Sequence, residues 1–170
     1  MTIPNQIGRF EVQKVLGKGS QGIVVLARDP RLDRRVAIKT IRVSASNLKK
    51  QQSRLMREAK LVSRLQHPNI IPLYEAGEDK GLLYLVFEYV DGVSLRESIR
   101  AEGSLVVRRA LDLMIQILAG IQHAHEEGIV HRDLSPSNLL IDRNGLPRIM
   151  DFGISLIAGV EESIMKDVSG

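Results

Sequence analysis

The sequence predicts an α+β fold in two parts: a small lobe of five strands with one inserted helix over 1–90, then a mainly helical part over 91–170. Three observations carry this. The first ninety residues hold short runs rich in β-branched residues around one segment of helical period. Asp91-Gly92 breaks the chain, and one long helical repeat follows it. The chain has 170 residues, 44% of them apolar, which is enough to bury a core.

Phe10 to Leu16 and Gly22 to Arg28 read as strands joined by a glycine-punctuated turn, and Val36 to Ile41 as a third. Leu48, Gln52, Leu55, Met56, Ala59, Val62 and Leu65 recur at helical spacing up to His67-Pro68-Asn69, where the residue before proline leaves helical dihedrals. Ile70 to Leu73 and Leu82 to Tyr89 complete the five strands. Beyond the break, Ser94 to Arg100 reads as a short helix. Val107, Ala110, Leu111, Met114, Leu118, Ile121 and His125 mark one face of a long helix ending near Gly128. Leu139 to Ile141 and Arg148 to Met150 flank Asn144-Gly145, a strong hairpin signal.

Composition excludes several classes. No cysteine is present, so there is no disulfide framework, thiolate metal site or cysteine nucleophile. The first ten residues lack a secretory pattern, and no apolar run approaches the ~18–20 residues of a membrane span, so the expected location is cytoplasmic. Residues 1–60 hold 14 Lys and Arg against 4 Asp and Glu, and the remainder reverses that bias. With aromatics at 4% and no Trp, base-stacking platforms are scarce, and the basic excess reads as solvated surface instead of a nucleic-acid interface.

Three stretches carry chemistry. Gly17-Lys18-Gly19-Ser20-Gln21-Gly22-Ile23-Val24 is a G-x-G-x-x-G-x-V run whose glycines let a backbone approach phosphate; it is also compatible with an ordinary glycine hairpin. Strand-like sequence on both sides speaks against a strand-to-helix dinucleotide site. Lys39 stands inside an apolar strand and Glu58 on the apolar side of the first helix, so either they pair or both reach solvent separately. His131-Arg132-Asp133-Leu134-Ser135-Pro136-Ser137-Asn138 is a polar loop between apolar runs. Its Asp133 can accept a proton, and its Asn138 offers a carbonyl oxygen to a hard cation. Asp151-Phe152-Gly153 follows, a carboxylate on a turn suited to a metal ligand.

The ordered set of G-x-G-x-x-G-x-V, Val36-Ala37-Ile38-Lys39, Glu58, H-R-D-x-x-x-x-N and D-F-G resembles the eukaryotic-type protein kinase family over about residues 9 to 155. Arg57-Glu58-Ala59, His67-Pro68-Asn69-Ile70 and Ala124-His125-Glu126-Glu127-Gly128-Ile129-Val130-His131 look most like its bacterial Ser/Thr branch. The resemblance implies a two-lobed kinase-like fold with ATP between the lobes. Gly17, Lys18, Gly19, Ser20 and Gly22 would cover the phosphates. Lys39, held by Glu58, would touch them. Leu16, Val24, Ala37 and Leu140 would sandwich the adenine, whose edge would meet Glu88 and Val90, with Phe87 as gatekeeper. Asn138 and Asp151 would hold Mg²⁺, and Asp133 would take the proton of a Ser or Thr hydroxyl on a protein substrate. Val62, Leu73, His131 and Phe152 would form the spine linking the lobes.

Two departures stand out. Ser135 replaces the lysine usual two residues after the catalytic Asp, though Pro136 and Asn138 keep the Ser/Thr layout. The sequence also stops at Gly170, before the family's Ala-Pro-Glu anchor and the helices after it, which implies an incomplete activation segment and exposed apolar surface at Leu111, Leu118 and Ile121. The expected activity is therefore ATP-dependent Ser/Thr protein kinase. An ATP-binding but inactive regulatory module is the alternative, and a small-molecule kinase a more distant one. Ser163, Ser169 and Thr40 are further hydroxyls with nothing to choose between them as phosphorylation sites.

Overall fold

A computed structural model describes residues 4–19, 22–41 and 48–152, which divide into one unit drawn from 4–60 and 73–89 and a second drawn from 61–72 and 90–152. Ser20 and Gly153, together with Ser163 and Ser169, lie outside the described residues.

The first unit is an antiparallel sheet with strand order β1-β2-β3-β4-β6-β5. Its strands are β1 (Gln6–Ile7), β2 (Phe10–Gly19), β3 (Gly22–Asp29), β4 (Arg34–Ile41), β5 (Leu73–Asp79) and β6 (Leu82–Glu88), with helix α1 (Leu48–Val62) between β4 and β5. Alternation sorts the two faces. Val25 and Ala27, Val36 and Ile38, and Tyr84 and Val86 close with Ile7 and Phe10 into one buried cluster. Their neighbours Val24, Ala37 and Lys39 therefore project from the opposite face, and the register sets Val24 opposite Lys39.

The sheet has six strands where five were expected. Gly8, at φ 54°, turns Gln6–Ile7 back onto Phe10 and Glu11, and two residues are too few to leave a period in the sequence. The strand expected at Ile70 to Leu73 is corrected as well. Pro72 has no N–H for a ladder, so β5 begins at Leu73, and Ile70 makes a parallel bridge to Ile149 in the second unit. A polar cluster pins the start of β2. Arg9 reaches Asp29 at 3.2 Å and Glu75 at 2.7 Å, and Tyr84 donates to Glu75 at 3.3 Å.

In the second unit, β7 (Gly92–Ser94), β8 (Leu139–Asp142) and β9 (Pro147–Ile149) form a small antiparallel sheet, with the expected Asn144-Gly145 hairpin joining the last two. Helix α2 (Leu95–Glu102) starts at a capping box, in which the Ser94 hydroxyl accepts from the Glu97 amide at 3.2 Å and the Glu97 carboxylate accepts from the Ser94 amide at 2.9 Å. The Ser94 hydroxyl also donates to the Glu97 carboxylate at 2.7 Å, and that bond first, then the one from the Ser94 amide, holds the Glu97 carboxyl below its ordinary value. Helix α3 (Val107–Glu126) buries Leu113, Ile117, Gly120 and Ala124. Leu111 and Leu118 are 58% and 55% exposed, as expected, whereas Ile121 is half-buried. No helix among the described residues is long and apolar enough to cross a membrane.

Candidate active site

The first unit contributes a hairpin and a lysine. β2 and β3 run antiparallel to their tip, where Gly19 faces Gly22, so the glycine run is a strand–turn–strand flap. Gly17 and Gly19 have open space where a Cβ would stand, which leaves that backbone accessible to a bulky anion. Gly22 serves packing instead. A Cβ there would stand 1.8 Å from the carbonyl oxygen of Thr40, and the Ile23 amide and carbonyl both bond the Thr40 hydroxyl at 3.1 Å. Lys39 is 9% exposed, between Val24 on β3 and Leu85 on β6. Ala37 faces Phe87 across the β4–β6 pair, and Phe87 is buried. Leu16 is exposed, and Val24, Ala37 and Glu88 are half-buried.

Glu58 differs from expectation. Its Oε1 accepts from Arg54, one turn earlier in α1, at 3.2 Å, and its Oε2 is buried with no hydrogen-bond partner. A local i, i+4 pair requires no tertiary closure, and it engages one oxygen of the carboxylate that was expected to hold Lys39.

The second unit builds a network around His131, which is 3% exposed. Its Nδ1 accepts the Asp133 amide at 3.3 Å, so Nε2 carries the proton and donates to the Met150 carbonyl at 2.8 Å. The His131 ring packs on buried Phe152 with centroids 4.7 Å apart. Asn138 closes the loop: its Nδ2 donates to the Asp133 carbonyl at 2.8 Å and to Asp133 Oδ2 at 3.0 Å, and its carbonyl accepts the Met150 amide at 3.0 Å. Pro136–Asn138 is a single 3₁₀ turn that hands the chain to β8.

Two residues here adopt positive φ without being glycine, Arg132 at 66° and Asp151 at 65°. Such backbone is disfavoured, and it persists because the bonds of His131 and Met150 on either side over-determine it. The resulting chemistry is specific. Asn138 spends its amide nitrogen on Asp133, which leaves its side-chain carbonyl oxygen as an acceptor, and Asp151 carries a carboxylate; both are hard oxygen donors of the kind Mg²⁺ takes. No three His, Asp or Glu gather into a cluster among the described residues.

The structure thus brings Asp133, Asn138 and His131 into one bonded loop and sets Val24 beside Lys39. Leu140 is half-buried on β8, and Val90 is buried. Val62 and Leu73 are buried too. Sequence reasoning missed Arg54, although its i, i+4 spacing to Glu58 was the available signal. The left-handed backbone at Arg132 and Asp151 had no signal at all, because neither is Gly or Asn.

Comparison with known proteins shows the family. The chain is 45% identical over 148 residues to the serine/threonine-protein kinase PrkC of Bacillus subtilis, covering 87% of this chain and 23% of that protein. It is 38% identical over 160 residues to the serine/threonine-protein kinase PknB of Mycobacterium tuberculosis, covering 91% and 26% respectively. The crystal structure of the M. tuberculosis PknI kinase domain matches with a TM-score of 0.78 at 26% identity, covering 90% of this chain and 62% of that one. The chain therefore spans about a quarter of the curated relatives it matches. The protein kinase domain family, whose members generally use ATP and Mg²⁺ on protein substrates, matches residues 10–170, and this chain belongs to it.

Proposed function

We infer that the chain carries the nucleotide site and catalytic loop of an ATP-dependent serine/threonine protein kinase working in the cytoplasm. The observation that carries this reading is the Asp133–Asn138 bond at 3.0 Å. One side-chain amide fixes the carboxylate that receives a proton and, by the same act, presents an oxygen to a cation. An ordinary surface loop has no use for that coupling.

Gly17 and Gly19 offer backbone N–H groups to the phosphates, and Lys39 neutralises their charge from a fixed strand position. Ala37, Val24, Leu16 and Leu140 provide apolar contact for the adenine, while Glu88 and Val90 offer backbone groups to its edge. Asp133 orients the Ser or Thr hydroxyl of a protein substrate and accepts its proton as the oxygen attacks the γ-phosphorus and the bond to the β–γ bridging oxygen breaks, releasing ADP. Asn138 and Asp151 would hold Mg²⁺, which would supply neutralisation of charge on the phosphate oxygens. Most of the catalytic effect is positioning and electrostatics, since the transferred group needs little covalent help.

Calorimetric titration with a non-hydrolysable ATP analogue and Mg²⁺ tests the reading. Saturable binding by the folded chain, weakened at least tenfold in Lys39→Met, is the expected result. A folded chain that releases no heat overturns it, as does a Lys39→Met variant that binds equally well. Binding without phosphate transfer in a complete catalytic domain would instead favour the regulatory alternative.

A further inference from the structure

Asn69 ties the turn after α1 to the strand that precedes Asp151. Its side-chain amide donates to the Pro147 carbonyl at 2.8 Å, and its backbone carbonyl accepts the Ile149 amide at 2.7 Å. The Ile71 amide then reaches the Ile149 carbonyl at 2.9 Å, extending a short parallel pairing along β9. The fit has little slack. Gly120 of α3 lies under it, and a Cβ there would come within 2.9 Å of Ile149.

What closes the 67–69 turn is the imidazole of His67, whose Nδ1 accepts the Asn69 amide at 3.1 Å. That nitrogen accepts only while it carries no proton. The ring is stacked on His123 of α3, with centroids 5.5 Å apart and planes 28° from parallel, and His123 Nε2 is buried without a hydrogen-bond partner. Among the described residues no carboxylate is hydrogen-bonded to either ring; the nearby Glu126 accepts from Gln122 at 2.9 Å. The remaining charged or titratable groups of these segments are Lys60 and Arg64 before the turn, His125 and Glu127 in and after the last turn of α3, Arg108, Arg109 and Asp112 in its first two turns, and Arg148 on β9.

We propose that His67 and His123 form an acid-sensitive latch: a proton on His67 releases the Asn69 amide, opens the 67–69 turn and loosens β9, the strand leading to Asp151. An imidazolium at this place loses its acceptor, leaves an amide of a 5% exposed residue unbonded, and faces a second ring that competes for the same charge. Burial first, and then the charge of His123, hold His67 below the ordinary histidine value. A group held down in the folded state takes up its proton more readily when unfolded. The latch is therefore intact above about pH 6.5 and fails as pH falls through the depressed value.

The test uses the full chain and His67→Asn. Asparagine keeps an acceptor oxygen at the same reach for the residue-69 amide and does not titrate in this range. Proton NMR of the wild type should show His67 titrating below about 6.5. Between pH 7.5 and 5.5, hydrogen-exchange protection of the Ile71 and Ile149 amides should fall about tenfold in the wild type and under about twofold in His67→Asn. A merely structural histidine would not single out those two amides. Equal loss in both proteins, or His67 titrating at or above its ordinary value, overturns the proposal. Should His67→Asn fail to fold, His123→Gln decides: the His67 titration must rise toward its ordinary value, and an unmoved titration also overturns the latch.

Discussion

Lys39 and Asp133 are held by different means. Lys39 owes its place to strand register: Val24 on one side, Leu85 on the other, and an alternation that puts it opposite the buried cluster. Asp133 sits on an exposed loop with no repetitive structure. Its place is fixed by three hydrogen bonds: its amide donates to His131, and its carbonyl and one carboxylate oxygen accept from Asn138. A lysine in a strand can be positioned by a pattern that runs through the whole sheet. A carboxylate that must receive a proton needs individual bonds, and those bonds cost backbone strain at Arg132 and Asp151.

The largest expected effect falls on the bonded side. Asp133→Asn keeps an acceptor for the Asn138 amide and every backbone bond of the loop, so the architecture survives and only the proton acceptor goes. In a complete catalytic domain bearing this loop, phosphate incorporation should fall by about 10²–10⁴, with analogue affinity changed less than about twofold. Incorporation at an unreduced rate would show that the network serves structure alone.

Ser135→Lys comes next. Ser135 is half-buried directly before the 3₁₀ turn, and its carbonyl accepts the Asn138 amide at 2.9 Å, an interaction any residue there can make. An added ammonium beside the developing phosphate charge should raise turnover by about tenfold, below the ~10²–10³ that one well-placed electrostatic contact can contribute. Steady-state kinetics with turnover unchanged or lowered would count against Asp133 working beside the phosphate.

The register-built side is sharpened by its glycines. Gly22→Ala drives a Cβ into the Thr40 carbonyl and should cost about 2–4 kcal/mol in denaturant unfolding. Gly19→Ala meets nothing within 4 Å, so its stability cost should stay under about 1 kcal/mol while it weakens nucleotide binding. Equal costs at both positions would mean that the hairpin tip does not pack as the register implies.

Legibility followed the same division. The sheet, the glycine flap and the Asn144-Gly145 hairpin were readable because alternation and turn chemistry are local. The sixth strand was not, since Gln6–Ile7 is only one strand period long and repeats nothing. The strand expected at Ile70 was misplaced because Ile70 is apolar for another partner, Ile149, and only the missing N–H of Pro72 argued for a later start. In the site, residue types announced Asp133, Asn138 and Asp151, but not the bonds among them. Glu58 shows why. Its burial was foreseeable from helical spacing, whereas its choice of Arg54 is a competition between a local pair and a distant one that spacing alone cannot decide.

Acid offers the smallest effect and the finest comparison. In the first unit the Asp29 carboxylate, fully buried, is held below its ordinary value by the Arg9 hydrogen bonds, with help from the Arg31 amide and the charge of Arg34. A depressed carboxyl contributes stability above its unfolded value, about 3.9, and loses it as pH falls further. His67 is depressed too, but from about 6.5, so the second unit should lose stability first. Hydrogen exchange followed from pH 7.5 downward should show Ile71 and Ile149 losing protection below about pH 6.5, while amides of the β3–β4 pairing hold until about pH 4. Replacing Arg9 with Met should move only the second of these thresholds upward, because it removes the group that holds Asp29 down and leaves His67 untouched. If both units loosened together at one pH, two separately held halves would be the wrong description, and the acid response would belong to a single cooperative unfolding.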